Sequence, residues 1–459
     1  MSDRAEVVIC GAGIAGVSAA FHLAVRRGVR DVVLVDPHEP MSLTSRHATA
    51  AYRDWWPEPD DARVRLLSRS LDLLEELAHE SGRAFRRCRR GYVYLTADPN
   101  RAAELLAEAE AVAGMGVGPL RRHPGPVPYV ASPEEGFSGA PGGADWIEDP
   151  DEIRRVFPWV TDKARALLHV RRAGWLDSQA FGAWLLDCAE ARGVRVIRDE
   201  VRAVVTEGGR VRSVRLASGG IDTERVVLAT GPYLRQAGRW LDLDLPLTNY
   251  LRAWLALEDP EGIVPRDAPL LIWSDPVRLP WSEEERRELA RDPDGDWVLG
   301  ELPPGARMHP HDVGDGRSEA QLRVLWRWRE KEADPLSPEW PPQAHPRSGE
   351  VLLRGLSRMI PGLERYFGHG KEALVEAGYD CRTPENRPLI GPLPVQGAYV
   401  LGALSGSGVM SSQAAAELLA AHVTGAPLPP WAGAFAPDRY EDPAYRARLD
   451  AWKGWTGEL

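Results

Sequence analysis

Residues 11–16 read Gly11-Ala12-Gly13-Ile14-Ala15-Gly16, a G-x-G-x-x-G run. In such a run the first glycine permits a tight turn, the second lets a pyrophosphate reach the backbone, and the third lets a helix lie close on a strand. The helix that follows turns its positive end toward the phosphates. Asp36, with Pro37 beside it, stands 20 residues beyond Gly16, where a carboxylate can bind a ribose hydroxyl. These residues predict a dinucleotide site, although an acid here serves FAD and NAD alike. A second run, Gly402-Ala403-Leu404-Ser405-Gly406-Ser407-Gly408-Val409-Met410, is built mostly of small residues. Its backbone N–H groups could meet a flat isoalloxazine ring, with the positive end of a following helix behind them. Taken alone it is also an ordinary strand-to-helix loop. A third piece, Val226-Val227-Leu228-Ala229-Thr230-Gly231, runs a strand into a turn beside the dinucleotide.

Other reactive residues are sparse. Cys10, Cys88, Cys188 and Cys381 lie far apart, with no C-x-x-C pair and no zinc spacing. A disulfide framework is therefore not expected, and the cytoplasm is the expected compartment. His309 and His311 flank Pro310 in what reads as an exposed polar loop, and no metal site is expected. Tyr52, Trp55 and Trp56 stand beside Arg53; they could wall a cationic or cyclic amine or pack in the core. Tyr250, Trp254 and Trp273 are open to the same two readings. Lys163, Lys331, Lys371 and Lys453 are the lysines among 56 basic residues, which restricts any catalytic lysine.

The elements that must position these residues follow from periodicity. The chain has 459 residues, 44% hydrophobic and 27% charged, enough for two or three domains with a sizeable core. A net charge of −11 argues against a nucleic-acid partner and against a polybasic membrane anchor. Val7 to Val25 is nearly all apolar, but its glycines and His22 favour a strand, turn and helix over a signal peptide or membrane span. Glu6–Cys10 and Asp31–Val35 then read as strands around a helix reaching about Arg27. Val64, Leu67, Leu71, Leu74 and Leu77 predict a helix over 61–79. Further expectations are a strand at Tyr92–Thr96, a helix at Arg101–Ala113 and surface loop over 114–145. Ser178 would cap a helix ending at Arg192, before strands at 194–197, 201–206 and 211–216. Gly208 and Gly209 suit a hairpin between the last two. Residues 246–345 suggest a second domain with strands at Ala253–Leu257, Leu270–Trp273 and Trp297–Leu299 and a charged helix at Glu283–Arg291. Helices at 351–358 and 411–423 and a strand at 398–401 complete the chain.

With these elements in order, the sequence resembles the FAD-dependent D-amino-acid oxidase, glycine oxidase and sarcosine oxidase superfamily. The resemblance rests on the 11–16 fingerprint, Thr44-Ser45, Ala229-Thr230-Gly231, the run Thr383-Pro384-Glu385-Asn386-Arg387-Pro388-Leu389-Ile390-Gly391, and the Gly402–Met410 turn. It implies an α/β fold, α+β overall. A Rossmann-like FAD-binding domain of glutathione-reductase type would span 1–85, 146–245 and 347–459. A mixed-sheet substrate or cap domain would span 86–145 and 246–346. It implies FAD on Gly11, Gly13, Ile14, Ala15, Gly16, Asp36 and Pro37, with Val201 at the adenine and Thr230-Gly231 beside it. Ser45, Arg46, His47, Ala48 and Thr49 would line the flavin, and Gly406, Ser407, Gly408, Val409 and Met410 its pyrimidine end. The implied reaction removes hydride from a C–H beside an amine nitrogen, passes it to flavin N5, and leaves an imine for water to hydrolyse.

Where the chain departs from the family pattern, the finer expectations change. Sarcosine oxidases link flavin to a Cys that falls here on Gly378, with Cys381 out of register. Dimethylglycine and sarcosine dehydrogenases use a His in W-H-A-A-G, and Arg46-His47-Ala48-Thr49-Ala50 matches in part. His47 is thus a possible covalent link, a noncovalent flavin neighbour, or structural, with noncovalent FAD expected. The lysine that pairs substrate carboxylate falls on Met410, so Arg53, four residues past Thr49, is expected to bind the substrate, helped by Arg307 and His309, or else to pair with the adjacent Asp54. No lysine lies between Lys163 and Lys331 to activate oxygen, which favours a dehydrogenase passing electrons to an unidentified acceptor over an oxidase using oxygen. The expected substrate is a secondary or N-substituted amine or amino acid. The alternatives are a 2-hydroxy-acid dehydrogenase, with His47 or His309 as base, and a partner-dependent flavoprotein subunit.

Overall fold

The computed structural model describes residues 3–123, 129–135, 140–293, 295–311, 321–328, 331–371 and 374–452. Val7–Cys10 (β1) and Val32–Asp36 (β2) are short β-branched runs, buried along nearly their whole length. That composition suits parallel strands covered on both faces. They join Arg195–Arg198 (β3), Val226–Leu228 (β4), Leu389–Pro392 (β5) and Ala398–Gly402 (β6) in a six-stranded sheet of order β3-β2-β1-β4-β6-β5. All pairs are parallel except β5 with β6. Helices Ile14–Phe21 (α1), Ala62–Glu80 (α2) and Gly408–Thr424 (α3) share one apolar core against this sheet. Helix α1 sits close on the first turn: a Cβ on Gly16 would stand 1.8 Å from the Gly11 carbonyl oxygen.

A ten-stranded sheet faces the first. Its order is Lys331–Ala333, Thr248–Glu258, Gln321–Leu325, Ala306–His311, Leu270–Trp273, Tyr92–Thr96, Ala166–Val170, Ala144–Ile147 and Leu120–His123, with Leu374–Arg382 also paired to Thr248–Glu258. Period-two alternation gives the sheet two faces. Val93, Leu271, Met308 and Val324 pack in a core with Val351 and Leu352 of the helix Ser348–Ser357. Tyr92, Leu270, Arg307 and His309 face the other way, toward the cavity described below. His309 lies opposite Arg323, and Arg307 opposite Leu325.

Several expectations change. The 114–145 stretch contributes two strands rather than loop alone. Trp297–Leu299 is not a strand; Asp296–Val298 forms one 3-10 turn. The helix Ser178–Glu190 is capped by Asp177, whose carboxylate accepts from the Gln179 and Ala180 N–H groups, and not by Ser178. His309 and His311 lie buried in a central strand rather than in an exposed loop. Ala144–Ile147, Ala166–Val170 and Leu374–Arg382, in or near ranges expected in the cofactor domain, pair into the ten-stranded sheet. The hairpin forms at Gly208-Gly209, both at positive φ. Among the described residues no helix is long and apolar enough to cross a membrane.

Candidate active site

A cavity of about 790 Å³ lies between the two sheets, within the size range of small-molecule and cofactor sites. The ends of β1, β2, β4 and β6 feed the turns that form its floor, where open α/β sheets bind ligands. Gly11, Gly13, Ile14, Ala15, Asp36, Pro37, Ser45, His47, Ala48, Thr49, Val201, Thr230, Gly231, Gly406, Gly408, Val409 and Met410 all line it, as do Arg53, Arg307 and His309. Gly16, Arg46 and Ser407 do not. Gly16 sits beneath the turn, Arg46 is exposed, and the Ser407 hydroxyl donates to the Leu404 carbonyl and accepts from Arg63 Nη2 at 3.2 Å.

The floor fits an extended dinucleotide. Gly11 has φ +105° and its Cβ would strike the Ala229 carbonyl at 2.5 Å, so no side chain can intrude there. Asp36 Oδ2 accepts the Ala12 N–H at 2.7 Å and Oδ1 the His38 N–H at 2.8 Å. Each oxygen keeps a lone pair for a ribose hydroxyl. Burial raises this carboxyl against the pull of those two bonds. The hydroxyls of Ser42, Thr44 and Thr230 line the cavity, are buried, and have no hydrogen-bond partner among the described residues. Buried hydroxyls are normally satisfied, so these three mark where a polar ligand completes the structure. At the second turn, Ala403, Ser405 and Gly406 take positive φ. The turn delivers the first N–H groups of α3, which have no intrahelical acceptor, to the cavity wall at Gly408–Met410.

Arg53 is 2% exposed. Its Nη1 donates to Tyr94 Oη at 2.5 Å, and its Cζ lies 4.5 Å from the Trp56 ring centre and 5.5 Å from that of Tyr92. Its Nε has no acceptor, and among the described residues no carboxylate lies within ion-pair distance of it. The adjacent Asp54 pairs instead with Arg172 at 3.4 Å, and burial pushes its carboxyl up to about 6. Trp56 also keeps a buried Nε1–H without an acceptor. Of the aromatic residues singled out in the sequence, Trp56 and Trp254 line the cavity. Tyr52, Trp55 and Trp273 are core, and Tyr250 bonds Glu332.

His47 Nδ1 lies 2.8 Å from Glu376 Oε2, and its carbonyl accepts from Trp254 Nε1 at 2.6 Å. A Cβ on Gly378 would stand 3.8 Å from His47 Cβ. The two positions weighed as flavin attachment points therefore meet on one patch of the wall. Cys381 also lines the cavity, and burial pushes its thiol up to about 12. His309 stacks on Trp175 at 4.5 Å, its Nδ1 meets the Pro310 carbonyl at 2.9 Å, and burial pushes its imidazole down to about 3. Arg252, Arg323 and Arg327, all on the cavity wall, went unrecognised in the sequence. Arg323 donates to the Ala48 carbonyl at 3.1 Å and lies over Trp254, while Arg252 and Arg327 gather on Asp380 beside Gly406. Alternation of Gln321, Arg323 and Leu325 with Leu322 and Val324 is a local signal for Arg323.

The family profile described as "FAD dependent oxidoreductase" (DAO) matches residues 6–422. Dimethylglycine dehydrogenase, mitochondrial, from Rattus norvegicus is 24% identical over 314 residues, 66% of this chain and 33% of that one. Pyruvate dehydrogenase phosphatase regulatory subunit, mitochondrial, from Mus musculus is 23% identical over 428 residues, 91% of this chain and 41% of that one. The chain thus spans about a third of the dimethylglycine dehydrogenases it matches. L-proline dehydrogenase from P. horikoshii shares the fold, with a TM-score of 0.71 at 19% identity over 96% of this chain and 99% of that one.

Proposed function

The chain belongs to the DAO family of FAD-dependent oxidoreductases, and from that premise we propose that it oxidises the C–N bond of a secondary or N-substituted amino acid. One observation carries the reading: Arg53 is a buried cation on the cavity wall that has no carboxylate partner among the described residues. A buried charge of this kind is costly until an anion meets it, and the guanidinium fork suits a carboxylate. The unsatisfied Trp56 N–H adds a second donor. Bound FAD supplies the two-electron acceptor for the C–H beside the substrate nitrogen. The ten-stranded sheet roofs the site with Arg307, His309 and Arg323. The start of α3 favours negative charge beside Gly408–Met410.

A 2-hydroxy acid would need a general base, and His309 is poorly suited to that work. An imidazole whose pKa is near 3 is far from the operating pH that serves a base best. Among the described residues the cavity wall holds arginines but no lysine, which supports a dehydrogenase over a fast oxidase. His47 has Nδ1 committed to Glu376, leaving Nε2 for a flavin link or a flavin contact.

Anaerobic bleaching of the flavin tests the reading, with N-methyl amino acids, cyclic imino acids, D-amino acids, simple secondary amines and 2-hydroxy acids. Reduction by a carboxylate-bearing amine, followed by slow reoxidation in air, is expected. Reduction by the hydroxy acids instead would contradict it. No reduction by any of them would point to a subunit that works only with a partner. Acid precipitation of the same sample separates a His47-linked flavin, which stays with the chain, from a noncovalent one.

A further inference from the structure

Behind the cavity wall a second buried guanidinium shares the ring that Arg53 lies on. Arg63, on α2, is 1% exposed and does not line the cavity. Its Cζ stands 4.1 Å from the Trp56 ring centre, where that of Arg53 stands 4.5 Å away. Its fork is otherwise spent on the protein. Nη1 donates to the Asn386 carbonyl at 2.7 Å and lies 3.4 Å from Glu58 Oε1, and Nη2 donates to Ser407 Oγ at 3.2 Å. Glu58 Oε2 in turn accepts from Arg387 Nε and Nη2 at 3.0 and 2.8 Å, and Arg387 also pairs with Asp60. One side chain thus ties the indole to the turn after Thr383 and to the residue that precedes α3.

The charges explain why this matters at Arg53. Glu58 is shared by Arg63 and Arg387, and Asp60 pairs with Arg387, so both acids of the cluster are held by these two arginines rather than by Arg53. The Trp56 ring attracts cations through its quadrupole and holds both guanidiniums. With Arg63 fixed by hydrogen bonds to two turns, the ring has a fixed plane, and Arg53 lies on that ring. An ammonium could keep the charge of Arg63, but it lacks the planar fork that stacks on the indole and meets three acceptors at once.

We propose that Arg63 is a positioning residue for the carboxylate site, holding Trp56, and through it Arg53, against the glycine-rich turn at Ser407. The inference rests on the reading of Arg53 as the carboxylate ligand. Its test uses the oxidised holoenzyme with acetate and propionate as probes and their primary amides as neutral controls, each followed by the flavin absorbance change. Arg63→Lys, which leaves a cation beside Glu58, weakens carboxylate binding about tenfold and leaves amide binding unchanged. It raises KM for the amino-acid substrate while the limiting rate of flavin reduction stays within about twofold. Trp56→Phe weakens carboxylate binding similarly. The double variant is no weaker than the worse single one, because both act through one ring.

If Arg53→Met weakens carboxylate binding and Arg63→Lys does not, Arg63 is only structural and the inference fails alone. If Arg63→Lys weakens acids and amides equally, the effect is general loosening and the inference also fails. If Arg53→Met itself leaves carboxylate binding intact, the underlying reading of the site fails and the inference with it.

Discussion

At the scale of single residues, the site is defined by polar groups that the fold buries without satisfying. Arg53 shows how far sequence reasoning reaches. Its distance from Thr49 marked it, but the neighbouring Asp54 suggested an ion pair. In the structure that acid turns to Arg172, and the difference lies in a contact 118 residues away in the chain. Arg63 had no signal, since a cation on an amphipathic helix normally faces water. Buried imidazoles have a consequence for stability. Burial pushes His22 down to about 4 and His169 and His309 to about 3, from 6.5. Between these values and pH 6.5 the unfolded chain binds more protons than the fold, so this stability is lost as pH falls. Asp54, raised from 3.8 to about 6, acts in the opposite sense between those values. Near pH 5 the net is two protons, on the order of 3 kcal/mol per pH unit from these groups. The thermal midpoint should therefore drop steeply from pH 7 to 5; a flat or rising midpoint would show that these imidazoles titrate normally in the fold.

At the scale of elements, legibility followed burial. The units β1-α1-β2 and β6-α3 were readable because both faces of their strands are covered and glycines mark their turns. The strands Ala306–His311 and Gln321–Leu325 were not, because one face lines a polar cavity and carries Arg307, His309 and Arg323. Alternating cations look like solvated loop when the cavity is unknown. The short apolar run at Trp297 misled for the opposite reason, since its core contact through Val298 needs no sheet. Element packing also predicts the consequence of Gly16→Ala. The new methyl would sit 1.8 Å from the Gly11 carbonyl oxygen, forcing α1 away from the glycine-rich turn on the cavity floor. The variant should lose about 1–3 kcal/mol of stability and purify with little flavin. A normal flavin content per chain, read by absorbance, would show that the turn adapts.

At the scale of the whole molecule, two sheets enclose one cavity, and each supplies what the other lacks. The six-stranded sheet brings the glycine-rich turns; the ten-stranded sheet brings the polar roof; the short strand Ala51–Arg53 sets Arg53 between them, beside Trp56. The C-terminal segment folds back onto the chain. Arg439, Tyr440 and Tyr445 hold the buried Glu385, and Trp452 lies 4.5 Å from Arg387; Trp455 falls outside the described residues. This arrangement braces the Thr383–Arg387 turn that Arg63 and Glu58 share. The central claim is that the cavity binds an amine by its carboxylate at Arg53. Its most direct measurement is the anaerobic rate of flavin reduction by an N-methyl amino acid and by the matching decarboxylated amine, in the natural protein and in Arg53→Met. The account predicts that the amino acid reduces the natural protein far faster than the amine, and that Arg53→Met removes this advantage, at least about tenfold, without slowing the amine. Equal rates for the two compounds in the natural protein, or an advantage that survives in the variant, would contradict it.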